Sequence, residues 1–102
     1  GRTLAVAGML HDKPIRETLA ELLPAVDAWH VATVGDTPRA ATADELAAAL
    51  ADLGVSDVTR HASVTAAWAA ALAQASEADR VVAFGSFYTV GAILRALREG
   101  EA

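Results

Sequence analysis

Thr3-Leu4-Ala5-Val6-Ala7-Gly8-Met9-Leu10-His11-Asp12-Lys13-Pro14-Ile15 decides the fold. A run rich in Val, Leu and Ala from Thr3 to Met9 has the character of a strand. Gly8 punctuates its end. Pro14 then stands where a first helical position belongs, because its fixed φ suits a helix start and its missing N–H costs nothing there. Ile15, Leu19, Leu22 and Leu23 follow on one helical face. Strand, polar loop, helix is the opening of a parallel α/β unit.

The same alternation continues. Pro24 ends or kinks the first helix, and Val26 to Val34 is the second strand. Gly35-Asp36-Thr37-Pro38 is a turn. Thr42 with Glu45 is a capping-box pair, and Leu46, Leu50 and Leu53 line the helix that follows until Gly54 stops it. Val55 to His61 is a shorter strand interrupted by Arg60 and His61. Ser63 caps a third helix whose expected apolar face is Val64, Trp68, Ala71, Leu72 and Ala75. Val81 to Phe84 is a buried-type strand. Ser86 caps a last helix carrying Val90, Ile93, Leu94 and Leu97 inward. The pattern β-α-β-α-β-α-β-α predicts an α/β, Rossmann-like, mainly parallel sheet of about four strands with helices on both faces and right-handed crossovers. His30 falls inside a strand, where core or edge packing is its expected role, and Trp29 and Trp68 are expected in the core or at an interface.

Composition narrows the function classes. The 102 residues suit one small domain, and 54% apolar content is too high for a disordered chain. A net charge of −5 with no basic stripe argues against a nucleic-acid partner or a polybasic membrane anchor. With no cysteine there is no disulfide framework, thiolate metal site or cysteine nucleophile. No apolar run approaches the roughly 18 residues of a membrane span.

In open parallel sheets ligands bind beyond the carboxyl ends of the strands. Two loops there stand out: Gly8 to Pro14, and Gly85-Ser86-Phe87-Tyr88-Thr89-Val90-Gly91. Each opens a helix, whose free N–H groups favour an anion. Lys13 could hold a carboxylate or phosphate, or be a solvated charge. Ser86 could donate to the same anion, or only cap its helix. Asp12 could pair with Lys13 or favour the helix start. Neither G-x-x-x-x-G-K-S/T nor G-x-G-x-x-G occurs. No His, Asp and Glu spacing matches a metal site. A triad of Ser86, His11 and Asp12 is disfavoured, because sequence neighbours are poorly placed to relay a proton.

Gly8-Met9-Leu10-His11-Asp12-Lys13 resembles the G-M-L-x-D-K loop of bacterial dihydrofolate synthase/folylpolyglutamate synthases. Pro38-Arg39-Ala40 with Thr42 to Leu46 resembles their P-R-A segment and next helix. Gly85-Ser86-Phe87-Tyr88-Thr89-Val90 resembles their G-S-F-x-T-V loop. Order and spacing agree along nearly the whole chain. These enzymes belong to the Mur ligase superfamily, and the resemblance implies a single domain over residues 1–102, a truncated C-terminal glutamate ligase domain. It implies an ATP- and Mg²⁺-dependent ligase that activates a pteroate or folate carboxylate as an acyl phosphate for attack by L-glutamate. Carried over, Lys13 would neutralise a glutamate carboxylate with Asp12 orienting it. Ser86 would bind the same amino acid, and Phe87 and Tyr88 would shape its pocket. His11 is a weaker candidate and Arg39 weaker still.

The sequence departs from the family by Pro14, where an Asp often follows D-K, and by containing no D-x-A-H-N-P nucleotide motif. The 102 residues alone are expected to carry no catalytic residue, bind no cofactor and turn nothing over, as part of a cytoplasmic, monomeric enzyme. The alternatives are a stand-alone small-anion-binding module and a structural or dimerising one.

Overall fold

The computed structural model describes residues 1–12, 14–35 and 37–85. Four strands form one sheet: β1 (Thr3–Ala7), β2 (Ala28–Ala32), β3 (Val58–His61) and β4 (Arg80–Phe84), in the order β3-β2-β1-β4 with every pairing parallel. Three helices connect them: α1 (Ile15–Leu22), α2 (Ala43–Asp52) and α3 (Val64–Gln74). The expected last helix lies outside the described residues.

β1 and β2 are central and buried at every position, the polar Thr3 and His30 included, as strands covered on both faces are. β3 and β4 lie at the two sides of the described sheet and are only partly covered. Alternation divides the core. Ala5, Ala7, Trp29 and Val31 point to one face and pack with Leu19 of α1 and with Leu46, Ala49 and Leu50 of α2. Val6, Ala32, Val81 and Ala83 point to the other, against Val64, Ala67 and Ala71 of α3. Fully burying a leucine such as Leu19, Leu46 or Leu50 contributes about 1.5–3 kcal/mol each.

Helix ends follow the local chemistry, with two adjustments. Pro14 occupies the N-cap position, one residue before the helical position expected of it. The chain after α1 tightens into a 3₁₀ turn, Leu23–Ala25, around Pro24. The capping box forms at α2. Thr42 accepts the Glu45 N–H, and Glu45 accepts the Thr42 N–H. Gly54 follows α2 at φ +91°, a left-handed stop that glycine adopts without strain.

In α3, Val64, Ala67 and Ala71 are buried, whereas Leu72 is 48% exposed. The buried face is thus rotated from the expected one, keeping Val64 and Ala71, gaining Ala67 and losing Leu72. The helix is apolar nearly all round, so spacing alone does not choose a face. The small Ala67 and Ala71 allow a close approach to the sheet.

Asp79 ties the two chain segments at the amino end of the sheet. Its carboxylate accepts the Ser76 N–H (2.9 Å), the Arg2 N–H (2.7 Å) and the Arg2 guanidinium (3.2 Å). These bonds, led by the Ser76 N–H, hold its carboxyl well below the usual carboxylate range.

Candidate functional site

The strand order has a reversal point. From β1 the chain moves outward to β2 and then β3, while β4 returns to the other side of β1. The crevice between the carboxyl ends of β1 and β4 is where such sheets bind ligands. Here Gly8 and Gly85 meet. The Gly8 N–H donates to the Phe84 carbonyl at 3.3 Å. Gly85 adopts φ +130°, and a Cβ placed on it would lie 1.8 Å from the Gly8 carbonyl oxygen. Only glycine fits this approach, so the two candidate loops leave the sheet side by side. Beneath them Phe84 meets Trp29 edge-on, with ring centroids 5.9 Å apart and planes at 84°. The side chain of Met9 is fully buried beside this contact.

The first loop is fastened to the segment before α2. The His11 N–H donates to the Arg39 carbonyl at 2.7 Å, the Ala41 N–H donates to the Met9 carbonyl at 2.9 Å, and Leu10 and Ala40 form an antiparallel bridge. Side chains repeat the link. Asp12 accepts from the Arg39 guanidinium at 2.6 Å, and His11 Nε2 lies 2.8 Å from Glu45 Oε2. Glu45 is placed for this by its role in the capping box, where its other oxygen takes the Thr42 N–H. The bond to His11, and secondly the Thr42 N–H, lower the Glu45 carboxyl below its ordinary value.

Of the residues expected at the site, the structure brings His11, Asp12 and Arg39 together. Asp12 pairs with Arg39. Lys13, Ser86, Phe87 and Tyr88 lie outside the described residues. Glu45 was read from the sequence only as a cap. Its position three residues after Thr42 and close behind Arg39 was the available signal, but its link to His11 spans 34 residues. Among the described residues at this mouth, His11 and Arg39 are both already matched by carboxylates. A second hollow, about 320 Å³, lies beyond β2 and β3 against Thr33, Thr42, Asp44, Arg60 and His61. Its arginine is paired with Asp44 at 3.0 Å. No group of three or more His, Asp or Glu side chains that could hold a metal ion occurs among the described residues. They therefore offer no ligand set for the divalent cation the resemblance implies. Nor is any described helix long and apolar enough to cross a membrane.

A model of the family described as "Mur ligase, glutamate ligase domain" matches residues 1–87. The chain belongs to this family. This Mur ligase domain is 45% identical over 97 residues to the dihydrofolate synthase/folylpolyglutamate synthase of Escherichia coli K12, an alignment covering 95% of this chain and 22% of that enzyme. It superposes on E. coli FolC solved in complex with DHPP and ADP with a TM-score of 0.92 and 41% identity, covering all of this chain and 23% of that one. A bifunctional folylpolyglutamate synthase/dihydrofolate synthase solved with Mn, AMPPNP and L-glutamate bound gives 0.87 and 38%, covering 96% of this chain and 23% of that one. The Mur ligase domain thus spans about a fifth of the length of the curated relatives it matches.

Proposed function

We propose that this domain holds the incoming L-glutamate in an ATP-dependent ligase that extends dihydropteroate and folates through an acyl phosphate. In that reaction ATP phosphorylates the acceptor carboxylate, the amine of glutamate attacks the acyl carbon, and phosphate departs as the amide forms. The domain's share is positioning: it restrains one anionic reactant so that its amine meets the other. The observation that carries this reading is the joining of the Gly8 and Gly85 strand ends at the sheet's reversal point, with two loops of glutamate-ligase sequence leaving from it.

Lys13 is the residue proposed to meet the glutamate carboxylate. It follows directly on the fastened His11–Asp12 turn, and among the described residues at the mouth Arg39 and the His11 imidazole are each matched by a carboxylate. Asp12, Arg39, His11 and Glu45 set the path of the loop. Ser86, with Phe87 and Tyr88, is proposed to complete the pocket from the β4 side. ATP and Mg²⁺ would be held by other parts of a cytoplasmic, monomeric enzyme, and the 102 residues by themselves would not turn over.

The test is kinetic and uses the intact ligase. Lys13→Ala removes a charge-assisted hydrogen bond of about 1.5–3 kcal/mol, so KM for glutamate should rise roughly 10- to 150-fold. KM for ATP should stay within about twofold. Equal effects on both substrates, or no effect on glutamate, would refute the assignment.

A further inference from the structure

Two histidines outside the candidate site face one another beneath α3. His30, in the middle of β2, is only 4% exposed. Its Nδ1 lies 2.9 Å from His61 Nε2 at the end of β3, and its Nε2 lies 2.6 Å from Gln74 Oε1 in the last turn of α3. The rings stack with centroids 5.1 Å apart and planes inclined at 29°. β2, β3 and α3 are thus joined by a single polar chain that runs from the buried His30 through the half-buried His61 on one side and to the exposed Gln74 on the other.

Proton counting fixes what this chain tolerates. When Gln74 accepts from His30 Nε2–H, His30 Nδ1 is the acceptor and His61 Nε2–H the donor. If the amide is turned and donates instead, the chain runs the other way. In both cases one hydrogen lies between the rings. A first added proton fits: His61 takes it at Nδ1 in the first arrangement and still donates to His30. A second puts N–H groups from both rings into a 2.9 Å gap that holds only one.

No charged side chain among the described residues bonds the pair to compensate a second proton. α3 contains no acidic or basic residue between Val64 and Gln74. β1 presents Val6 opposite His30, β3 presents Thr59, and β2 itself places Ala28 and Ala32 on the same face. Arg60 is drawn to the opposite face by Asp44 on α2. The Arg2 guanidinium donates to the Gln74 backbone carbonyl at 3.4 Å and is itself paired with Asp79. No carboxylate among the described residues bonds either ring.

We propose that His30, His61 and Gln74 form a proton-limited latch, intact with zero or one imidazolium, that releases β3 and the last turn of α3 when both rings are charged. Burial, and then the neighbouring His30, lower the His61 imidazole below its ordinary value, in the same sense. Below the unfolded histidine value of 6.5 the unfolded chain binds both protons, whereas the latched pair has room for one between its rings. The stabilisation is therefore present above the unfolded histidine value of 6.5 and is lost as pH falls below it. A difference of one bound proton makes the folded-to-unfolded ratio drop tenfold per pH unit across that window.

The experiment follows the three histidine rings of the full chain by ¹⁵N-imidazole NMR from pH 8 to pH 4, with stability measured in parallel. The second protonation of the pair should coincide with loss of amide protection in β2 and β3. The pH dependence of stability in His61→Gln should be shallower by about one proton. Two charged rings in a sheet whose β2 and β3 amides remain protected would overturn the proposal. So would an unchanged slope in a folded His61→Gln protein. If that variant does not fold, the ring titration of the unaltered chain decides alone.

Discussion

Gly85→Ala should be more damaging than the same change at Gly35 or Gly54, the other described glycines with positive φ. The new Cβ would lie 1.8 Å from the Gly8 carbonyl oxygen and 2.7 Å from its carbon. Ordinary contact begins near 3.4 Å, so the ends of β1 and β4 must part by well over an ångström. The Gly8 N–H bond to Phe84, already 3.3 Å, cannot survive that movement. Its loss costs about 0.5–1.5 kcal/mol. Holding alanine at φ +130° adds about 1–3 kcal/mol. The sum, about 1.5–4.5 kcal/mol, is a large part of a typical stability of about 5–15 kcal/mol. For a domain of this size it corresponds to a fall in Tm of roughly 6–35 °C.

Gly54→Ala is the matched control. Gly54 also has a positive φ, +91°, but no atom lies within 4 Å of its added Cβ. It should therefore show only the strain, about 1–3 kcal/mol. Thermal and urea unfolding of the two variants separates backbone strain from strand-end contact. If Gly85→Ala were no more destabilising than Gly54→Ala, the close packing of the two loop origins, and with it the geometric basis of the candidate site, would be wrong.

Three further outcomes follow from particular contacts. Thr42→Ala removes the hydroxyl of the capping box and should cost about 1 kcal/mol in urea unfolding, with Thr42→Ser restoring most of it. Asp79 has a folded pKa depressed below its ordinary 3.8, so its contribution is present above that value and is lost as pH falls beneath it. Asp79→Asn should flatten the acid limb of the stability profile, and an unchanged limb would contradict the role given to its bonds with Ser76 and Arg2. Arg39→Ala breaks an exposed pair worth about 0–1 kcal/mol. In the intact ligase it should raise KM for glutamate by up to roughly fivefold and leave KM for ATP unchanged, whereas an effect as large as that of Lys13→Ala would mean that Arg39 itself contacts the substrate.

The residues that could be read in advance share one property: their partners are close in sequence. Thr42 and Glu45 are three apart, and the capping box forms as the pattern predicts. Gly54 ends α2 because helix and stop are contiguous, and β1 is a strand whose run from Leu4 to Ala7 is apolar and buried. Strand ends were less legible. β2 was expected over 26–34 and spans Ala28–Ala32, since a ladder ends where its neighbour ends and not where apolar residues do. The site's contacts were less legible still. Asp12 meets Arg39 across 27 residues, His11 meets Glu45 across 34, and His30 meets His61 across 31. Each pairing depends on which loops the strand order makes neighbours, and single-chain periodicity carries no information about that order. Motif resemblance pointed to the Gly8–Asp12 and Pro38–Ala40 segments, which the structure places against each other. It could not assign Glu45 to His11, because a capping glutamate already has a sufficient local reason to be there. A residue with such a reason needs the fold to reveal its second role. The long-range bonds of Glu45 and His30 are accordingly the ones whose removal tests something the sequence alone did not contain.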